Sequence, residues 1–444
     1  VPVRARWFAV VALVGALGCE PAPESVADAS RDATGVADGS PEDAVGSGPD
    51  ADGVTVWPDP CGKVAPVPPF ALPHFGIRVG AKELERLDSH TKEADAVELS
   101  VAVVASGRCY RDVILELHGG TSRTFPKKSY RLTFPEEDPL RTDLFSALPE
   151  EHRRVVLQAS WIDPTFMRNA LTMEAARASG GLAPRVAFAT VSFDGAPYGL
   201  FAVVERIDRV WLERQELDEE GNLYKASSHA ANWGANADPM AGFEWKEGQG
   251  DDPSDLALLR ERLSKTAATA KDFKAQIEPI LDLDDFMAWQ RVNTLAMNAD
   301  TYTKNYYLYH DVEADAGSPK ARFRVVNWDA DATWGQNWDG KPLAPTGTAW
   351  YGSDAFSPRL FGIESYREEY LEEYEEALAG RLSAKGLRAR VDAWAPAIRD
   401  AARWDLDLWQ PGLDFDAELA RLYKAIDARV QTMSTRIGTL QGPP

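Results

Sequence analysis

The sequence predicts an α+β fold of two lobes, strand-rich over residues 61–208 and helical over 209–444. Two observations carry this. Up to Asp208 the apolar residues fall mostly in short runs with period-two alternation; beyond Arg206 they recur at helical spacing. In order, 97–104 alternates loosely, 113–117 is a second strand and 129–134 a third, with Tyr130, Leu132 and Phe134 on one face. Residues 155–159 read as a short buried strand. One helix begins after Asp163-Pro164, where Asp caps and Pro suits the first turn, and runs to Ala178; Gly180-Gly181 ends it. Strands 186–193 and 198–205 follow, joined by Asp194-Gly195, a strong hairpin signal. Helical periodicity then covers 256–267, 284–297, 366–382, 385–401 and 416–440, and a strand-rich insert at 305–310 and 322–328 lies between the second and third of these.

With 444 residues there is room for two or three domains or one large two-lobed one. The formal net charge of −21 argues against nucleic acid as a partner, because neutralising phosphates needs clustered Lys and Arg. Six His and three Cys are too few for a multi-His zinc hydrolase or a Cys-rich zinc module. Residues 1–19 carry Arg4 and Arg6, an apolar run from Trp7 to Leu17, and Gly18-Cys19, the pattern of a secretory signal; Ala16-Leu17-Gly18-Cys19 resembles a bacterial lipobox with Leu one place late. Cys19 is therefore expected to be lipidated, giving an exported envelope lipoprotein at the periplasmic face or cell surface, touching the membrane only through that anchor. Residues 20–60 are Ala, Asp, Gly, Pro, Ser and Glu with almost no large apolar side chain, and read as a disordered acidic tether. Cys61 and Cys109 remain, an even number in an oxidising compartment, so a disulfide is expected.

The stretch with most chemistry is Asn298-Ala-Asp300-Thr-Tyr-Thr-Lys304-Asn305, followed by Val326-Asn-Trp328-Asp329-Ala-Asp331. Asp300 and Asn305 have the Asp-x-x-x-x-Asn spacing of a protein-kinase catalytic loop, where the Asp accepts the substrate hydroxyl proton and the Asn holds a metal. Asp329 ends the next hairpin, where such enzymes place their Mg²⁺ carboxylate. Alone the spacing is weak, since Asp and Asn are common in turns. Asp329-Ala-Asp331 equally suits a calcium loop, although Gly340 at the twelfth position argues against an EF-hand. Other elements follow a kinase's order. His118-Gly119-Gly120-Thr-Ser122-Arg123 suits close approach to anionic oxygens. Lys127 and Lys128 enter the third strand, and parity predicts Lys128 inward and Lys127 toward solvent. Glu174 lies mid-helix as the candidate partner of Lys128, and Glu205 ends a hinge-like apolar strand. Lys225 is a second candidate cation near the nucleotide.

The motifs 125–132 (FPKKSYRL), 159–164 (ASWIDP) with 167–171 (MRNAL), 203–208 (VVERID), 304–309 (KNYYLY) and 327–335 (NWDADATWG) resemble the spore-coat CotH kinase family over about residues 70–380. The resemblance implies an atypical protein-kinase-like fold transferring phosphate from ATP to Ser or Thr of a protein, with Mg²⁺ or Mn²⁺. It implies Asp300 as catalytic base, Asp329 as main metal ligand and Asn305 as the second; Asp331 is a further ligand candidate. The export signal points to an envelope protein rather than to a spore coat. ATP is scarce outside the cytoplasm, which keeps two other classes open. One is a non-catalytic, surface-anchored protein on the same fold, binding glycan or protein through exposed aromatics such as Trp334, Trp338 and Trp350. The other is a two-carboxylate glycosidase.

Overall fold

The computed structural model describes residues 61, 70–92, 97–248, 250 and 252–441; the signal, Cys19 and the tether lie outside them. The described residues belong to one compact unit. Its first half holds β1 (His74–Arg78), α1 (Ala81–Ser89), β2 (Glu98–Ala105), β3 (Arg108–Leu117), β4 (Tyr130–Thr133), β5 (Leu140–Thr142), β6 (Glu150–His152), β7 (Arg154–Gln158), α2 (Arg168–Ala178), β8 (Val186–Phe193) and β9 (Ala196–Glu205). Seven strands close a barrel in the order β1-β2-β3-β4-β7-β9-β8, sealed by parallel pairing of β1 with β8. Period-two alternation decides what fills it: Tyr130, Leu132, Val155, Leu157, Phe201 and Val203 turn inward. On β9 the alternate residues Leu200 and Ala202 turn outward, into a second core shared with the helices. The turn between β8 and β9 has both Asp194 (φ 51°) and Gly195 (φ 84°) left-handed, the backbone that makes Asp-Gly a hairpin signal.

The second half holds α3 (Arg209–Arg214), β10 (Asn222–Ala226), β11 (Phe243–Glu247), α4 (Ser254–Lys265), α5 (Ala270–Gln276), α6 (Leu283–Ala296), β12 (Tyr306–His310), β13 (Arg324–Asn327), α7 (Ser357–Leu360), α8 (Glu364–Ala379), α9 (Ala384–Trp409) and α10 (Phe415–Leu440). The predicted insert is two strands of a four-stranded antiparallel sheet, β11-β10-β12-β13. An apolar layer including Val156, Val204, Leu223, Tyr307 and Val326 joins its face to the outside of the barrel. The helix predicted after Asp163-Pro164 begins four residues late. Asp163 is buried instead, accepting from the Thr165 hydroxyl at 2.6 Å and the Arg168 amide at 2.8 Å and pairing with the Arg168 guanidinium. Cys61 and Cys109 are disulfide-bonded with their Cα atoms 5.6 Å apart. Among the described residues no helix is long and apolar enough to cross a membrane.

Candidate active site

A cavity of about 780 Å³ opens where the outer face of the barrel meets the four-stranded sheet, and segments far apart in sequence line it. From the barrel come the turn after β3, the outward residues of β4 and β7, and the end of β9. The sheet contributes Lys225, Glu244 and Lys246; the segment after α6 contributes Asn298, Asp300, Lys304 and Asn305; the segment after β13 contributes Trp328, Asp329 and Asp331.

The glycine turn is fixed from behind. Gly119 has φ +91°, and a Cβ there would come 2.1 Å from Ser122 Oγ, so glycine is required. Ser122 donates to the His118 carbonyl at 3.2 Å, and buried Arg123 donates to the Gly119 and Leu117 carbonyls at 2.6 and 2.9 Å. Arg123 thus holds the turn's own carbonyls. The cation on the barrel wall is Arg131. It lies opposite Glu116 in the β3–β4 register and donates to Glu116 Oε2 through Nε at 2.8 Å and Nη2 at 2.5 Å. Arg206 donates to the Tyr307 hydroxyl at 2.7 Å, with its guanidinium 5.8 Å from the Trp328 ring. Lys225 faces the same space from β10.

The acidic wall is built by two irregular segments. After α6 the chain turns left-handed at Met297, buried Asn298 donates to Asn293 Oδ1 at 3.0 Å, and a short helical turn carries Asp300. Asp300 Oδ2 receives Lys304 Nζ at 2.9 Å and Asn305 Nδ2 at 3.2 Å. Asn305 (φ 57°) is tied to β10 through its amide, 2.8 Å from the Ala226 carbonyl. After β13, Asp329 is also left-handed (φ 57°) and exposed to the cleft. Such conformations in non-glycine residues concentrate where a site imposes them. Asn169 and Gln158 brace this segment. Asn169 Oδ1 accepts the Ala330 amide at 3.2 Å, Asn169 Nδ2 donates to Gln158 Oε1 at 2.7 Å, and Gln158 Nε2 donates to Asp331 Oδ2 at 3.2 Å.

Electrostatics divide the cleft. Crowding by protein raises the Asp329 carboxyl, which Lys225 and Lys304 lower and Asp300 raises further. Burial, then repulsion from Asp329 and Asp163, pushes Asp331 well above the usual carboxylate range. Asp329 is repelled by Asp300 on one side and repels Asp331 on the other, and oxygen donors of this kind suit a hard divalent cation. On the other side, burial and then Lys225, Arg206, Arg131 and Arg123 push the His118 imidazole well down.

Of the residues expected from sequence, Gly119, Gly120, Ser122, Arg123, Lys127, Lys225, Asp300, Asn305, Asp329 and Asp331 line this cavity; Lys128, Glu174 and Glu205 are not among its lining. Three expectations are corrected. Lys127 is not solvent-facing: it is 1 % exposed and pairs with Asp405 of α9 at 2.6 Å. Lys128 and Glu174 do not pair: Lys128 Nζ donates to the Arg123 carbonyl at 2.7 Å, whereas Glu174 pairs with Arg177 and lies 3.8 Å from Arg390. Glu205 is buried in ion pairs with Arg185 and Arg214. Inward on this strand is not toward the cleft. The barrel interior is the apolar core, so the cleft takes the opposite parity, 127, 129 and 131. Sequence reasoning missed Arg131, Glu116, Arg206, His118, Gln158, Asn169 and Lys304. Strand parity alone had already put Arg131 opposite Tyr130.

The family model for the CotH kinase protein matches residues 115–433, more than half the chain. The inner spore coat protein H of Bacillus subtilis (strain 168) is 26 % identical over 337 residues, covering 74 % of this chain and 87 % of that protein. Two solved structures are similar over part of the chain. The HipA–HipB toxin–antitoxin and operator DNA complex of Shewanella oneidensis MR-1 has a TM-score of 0.31 at 14 % identity, covering 67 % of this chain and 63 % of the other. The proinflammatory kinase CtkA of Helicobacter pylori has a TM-score of 0.34 at 8 % identity, covering 70 % and 95 %. The match over residues 115–433 takes in the glycine turn, the Arg131–Glu116 pair and all three cleft aspartates, and the chain belongs to the CotH kinase protein family.

Proposed function

We propose that this chain is an exported, ATP-dependent protein kinase transferring the γ-phosphate to Ser or Thr of an envelope or secreted protein. One observation carries the reading: the glycine turn, a basic wall and three aspartates line a single cavity, of a volume usual for small-molecule sites. Asp329, Asp331 and Asn305 are the residues that would hold Mg²⁺ or Mn²⁺, which when bound supplies charge neutralisation at the phosphate oxygens. Arg131, oriented by Glu116, takes the part first assigned to Lys128 and Glu174 and contacts the α and β phosphates. Arg206 and Lys225 add positive charge across the cleft, and the Gly119-Gly120 turn covers the phosphates. Asp300 orients the acceptor hydroxyl and takes its proton, while Lys304 and Asn305 on Oδ2 fix the carboxylate plane. The Cys61–Cys109 disulfide supports an oxidising compartment, and the lipid anchor at Cys19 belongs to the same reading.

The glycan-binding alternative loses most of its surface. Trp334 is fully buried with Nε1 donating to Thr172 Oγ1 at 2.9 Å, Trp350 packs on the helical core, and of the three only Trp338 stands out, 61 % exposed. The test is a thermal-shift titration with ATP, with and without Mg²⁺ or Mn²⁺, beside Asp329→Ala. Ligand at 100 times its dissociation constant adds about 2.7 kcal/mol. A metal-dependent shift absent in the variant, with phosphate transferred to a protein Ser or Thr, is the expected result; no shift at millimolar ATP with either metal refutes the reading.

A further inference from the structure

Two imidazoles line the cleft, His118 and His229; His118 belongs to the glycine turn, and its backbone is held on both sides. Its amide donates to the Ser129 carbonyl at 2.8 Å and its carbonyl accepts Ser122 Oγ at 3.2 Å. The ring stands edge-on to Trp328, centroids 6.3 Å apart at 82°, and Arg206 lies over the same indole. Cations face it from several elements: Arg131 with its partner Glu116 from β4 and β3, Arg206 from the end of β9, Lys225 from β10 and Arg123 from its own turn; Asp329, from the segment after β13, lines the same cavity.

We infer that His118 is a proton-linked phosphate-binding residue that takes up a proton when a polyphosphate chain enters the cleft beside it. The inference rests on the nucleotide-binding reading above. Its cause is the sign of the local field. In the open cleft, burial and four surrounding cations disfavour a further positive charge, which holds the imidazole far below its ordinary value. Anionic phosphate oxygens at the glycine turn cancel the field of those cations and accept a hydrogen bond from the charged ring. The group therefore has a low proton affinity when the cleft is open and a higher one when it is occupied. Binding then takes up protons, tightens as pH falls through the window between the two values, and weakens as pH rises through it.

The test is calorimetry at pH 6.5 in buffers of different ionisation enthalpy, with ATP and separately with inorganic tripolyphosphate, on the full chain and its His118→Gln and His118→Asn variants. The wild type is expected to take up more protons per bound ligand than either variant, and its affinity to fall more steeply between pH 5.5 and 7.5. Ligand bound with equal proton counts in wild type and variants overturns the inference and leaves the kinase reading standing. Binding of neither ligand overturns both. A second measurement needs no His118 variant: the His118 titration followed by NMR with and without tripolyphosphate, and with Lys225→Gln. Upward shifts in both cases are expected, and an unmoved titration refutes the mechanism.

Discussion

Lys127 lines the cleft, and its contacts make it a strut. Its Nζ donates to Asp405 Oδ2 at 2.6 Å and to the Ala159 and Leu200 carbonyls, and it stands 4.4 Å from the Phe201 ring centroid; Asp405 Oδ2 also accepts the Leu200 amide at 2.7 Å. Both side chains are at most 2 % exposed. Lys127→Met leaves a buried carboxylate without its cation, a loss of about 3–5 kcal/mol. Over residues 61–441, an unfolding entropy of about 2.1 cal/mol/K per residue gives roughly 0.8 kcal/mol per degree. The expected fall in Tm is therefore about 4–6 °C. Replacing both partners by apolar side chains, Lys127→Met with Asp405→Leu, removes the stranded charge and is expected to recover most of that loss. The assay is thermal or urea unfolding of wild type, single and double variants, with ATP affinity measured on folded protein. A double variant that regains its Tm and still binds ATP within about threefold of wild type confirms the strut. A Lys127→Met protein with unchanged Tm, or a stable double variant that has lost ATP binding, would refute the reasoning.

Arg131→Gln is expected to weaken ATP binding by about 10–100-fold, the range of one charge-assisted hydrogen bond, whereas Lys128→Gln and Glu174→Gln stay within about threefold; equilibrium binding of the three separates the assignments. Asp329→Asn should cost more turnover than Asp331→Asn, because Asp329 faces the open cleft while Asp331 is already engaged by Gln158; equal losses in a phosphotransfer assay would reverse that order. Acid should destabilise the protein from about pH 6.5 downward. Burial, with Arg214 and Arg185, depresses His152 to about 4, and Arg185 depresses Glu150 to about 2. Both therefore contribute stability that is present above their unfolded-state values and lost as pH falls toward the folded ones. His152→Phe, against Phe145, should flatten the upper part of that slope in urea melts at pH 7, 5.5 and 4. Reducing the Cys61–Cys109 disulfide, which closes a separation of 48 residues, should cost about 2–4 kcal/mol; a melt unchanged by reductant refutes this.

Much of the fold was legible because its elements are locally encoded. Strand 186–193 was placed to the residue, and helices α4, α6, α8 and α10 within two or three residues of their bounds. α9 continues eight residues past its predicted end, where Asp405 and Trp409 anchor it to β9. β10 and β11 went unseen because NLYKA and FEWKE mix polar and apolar residues without clean alternation; cross-strand pairing makes them strands. β1 closes the barrel by pairing with a strand more than a hundred residues away, a contact without local signature.

By itself the sequence determined the order of the longer elements and the two acidic segments carrying Asp300, Asn305, Asp329 and Asp331. These follow from local periodicity, turn chemistry and spacing, which the chain expresses without reference to distant partners. Only the tertiary structure decided how each cation is placed relative to the cleft. Strand parity says that Lys127 and Arg131 oppose Lys128 and Tyr130, but not which of the two faces is core. Closure of the barrel settles that by burying Tyr130, Leu132 and Phe134 inside, which sends Arg131 to Glu116 on the cleft wall and Lys127 to a carboxylate 278 residues away.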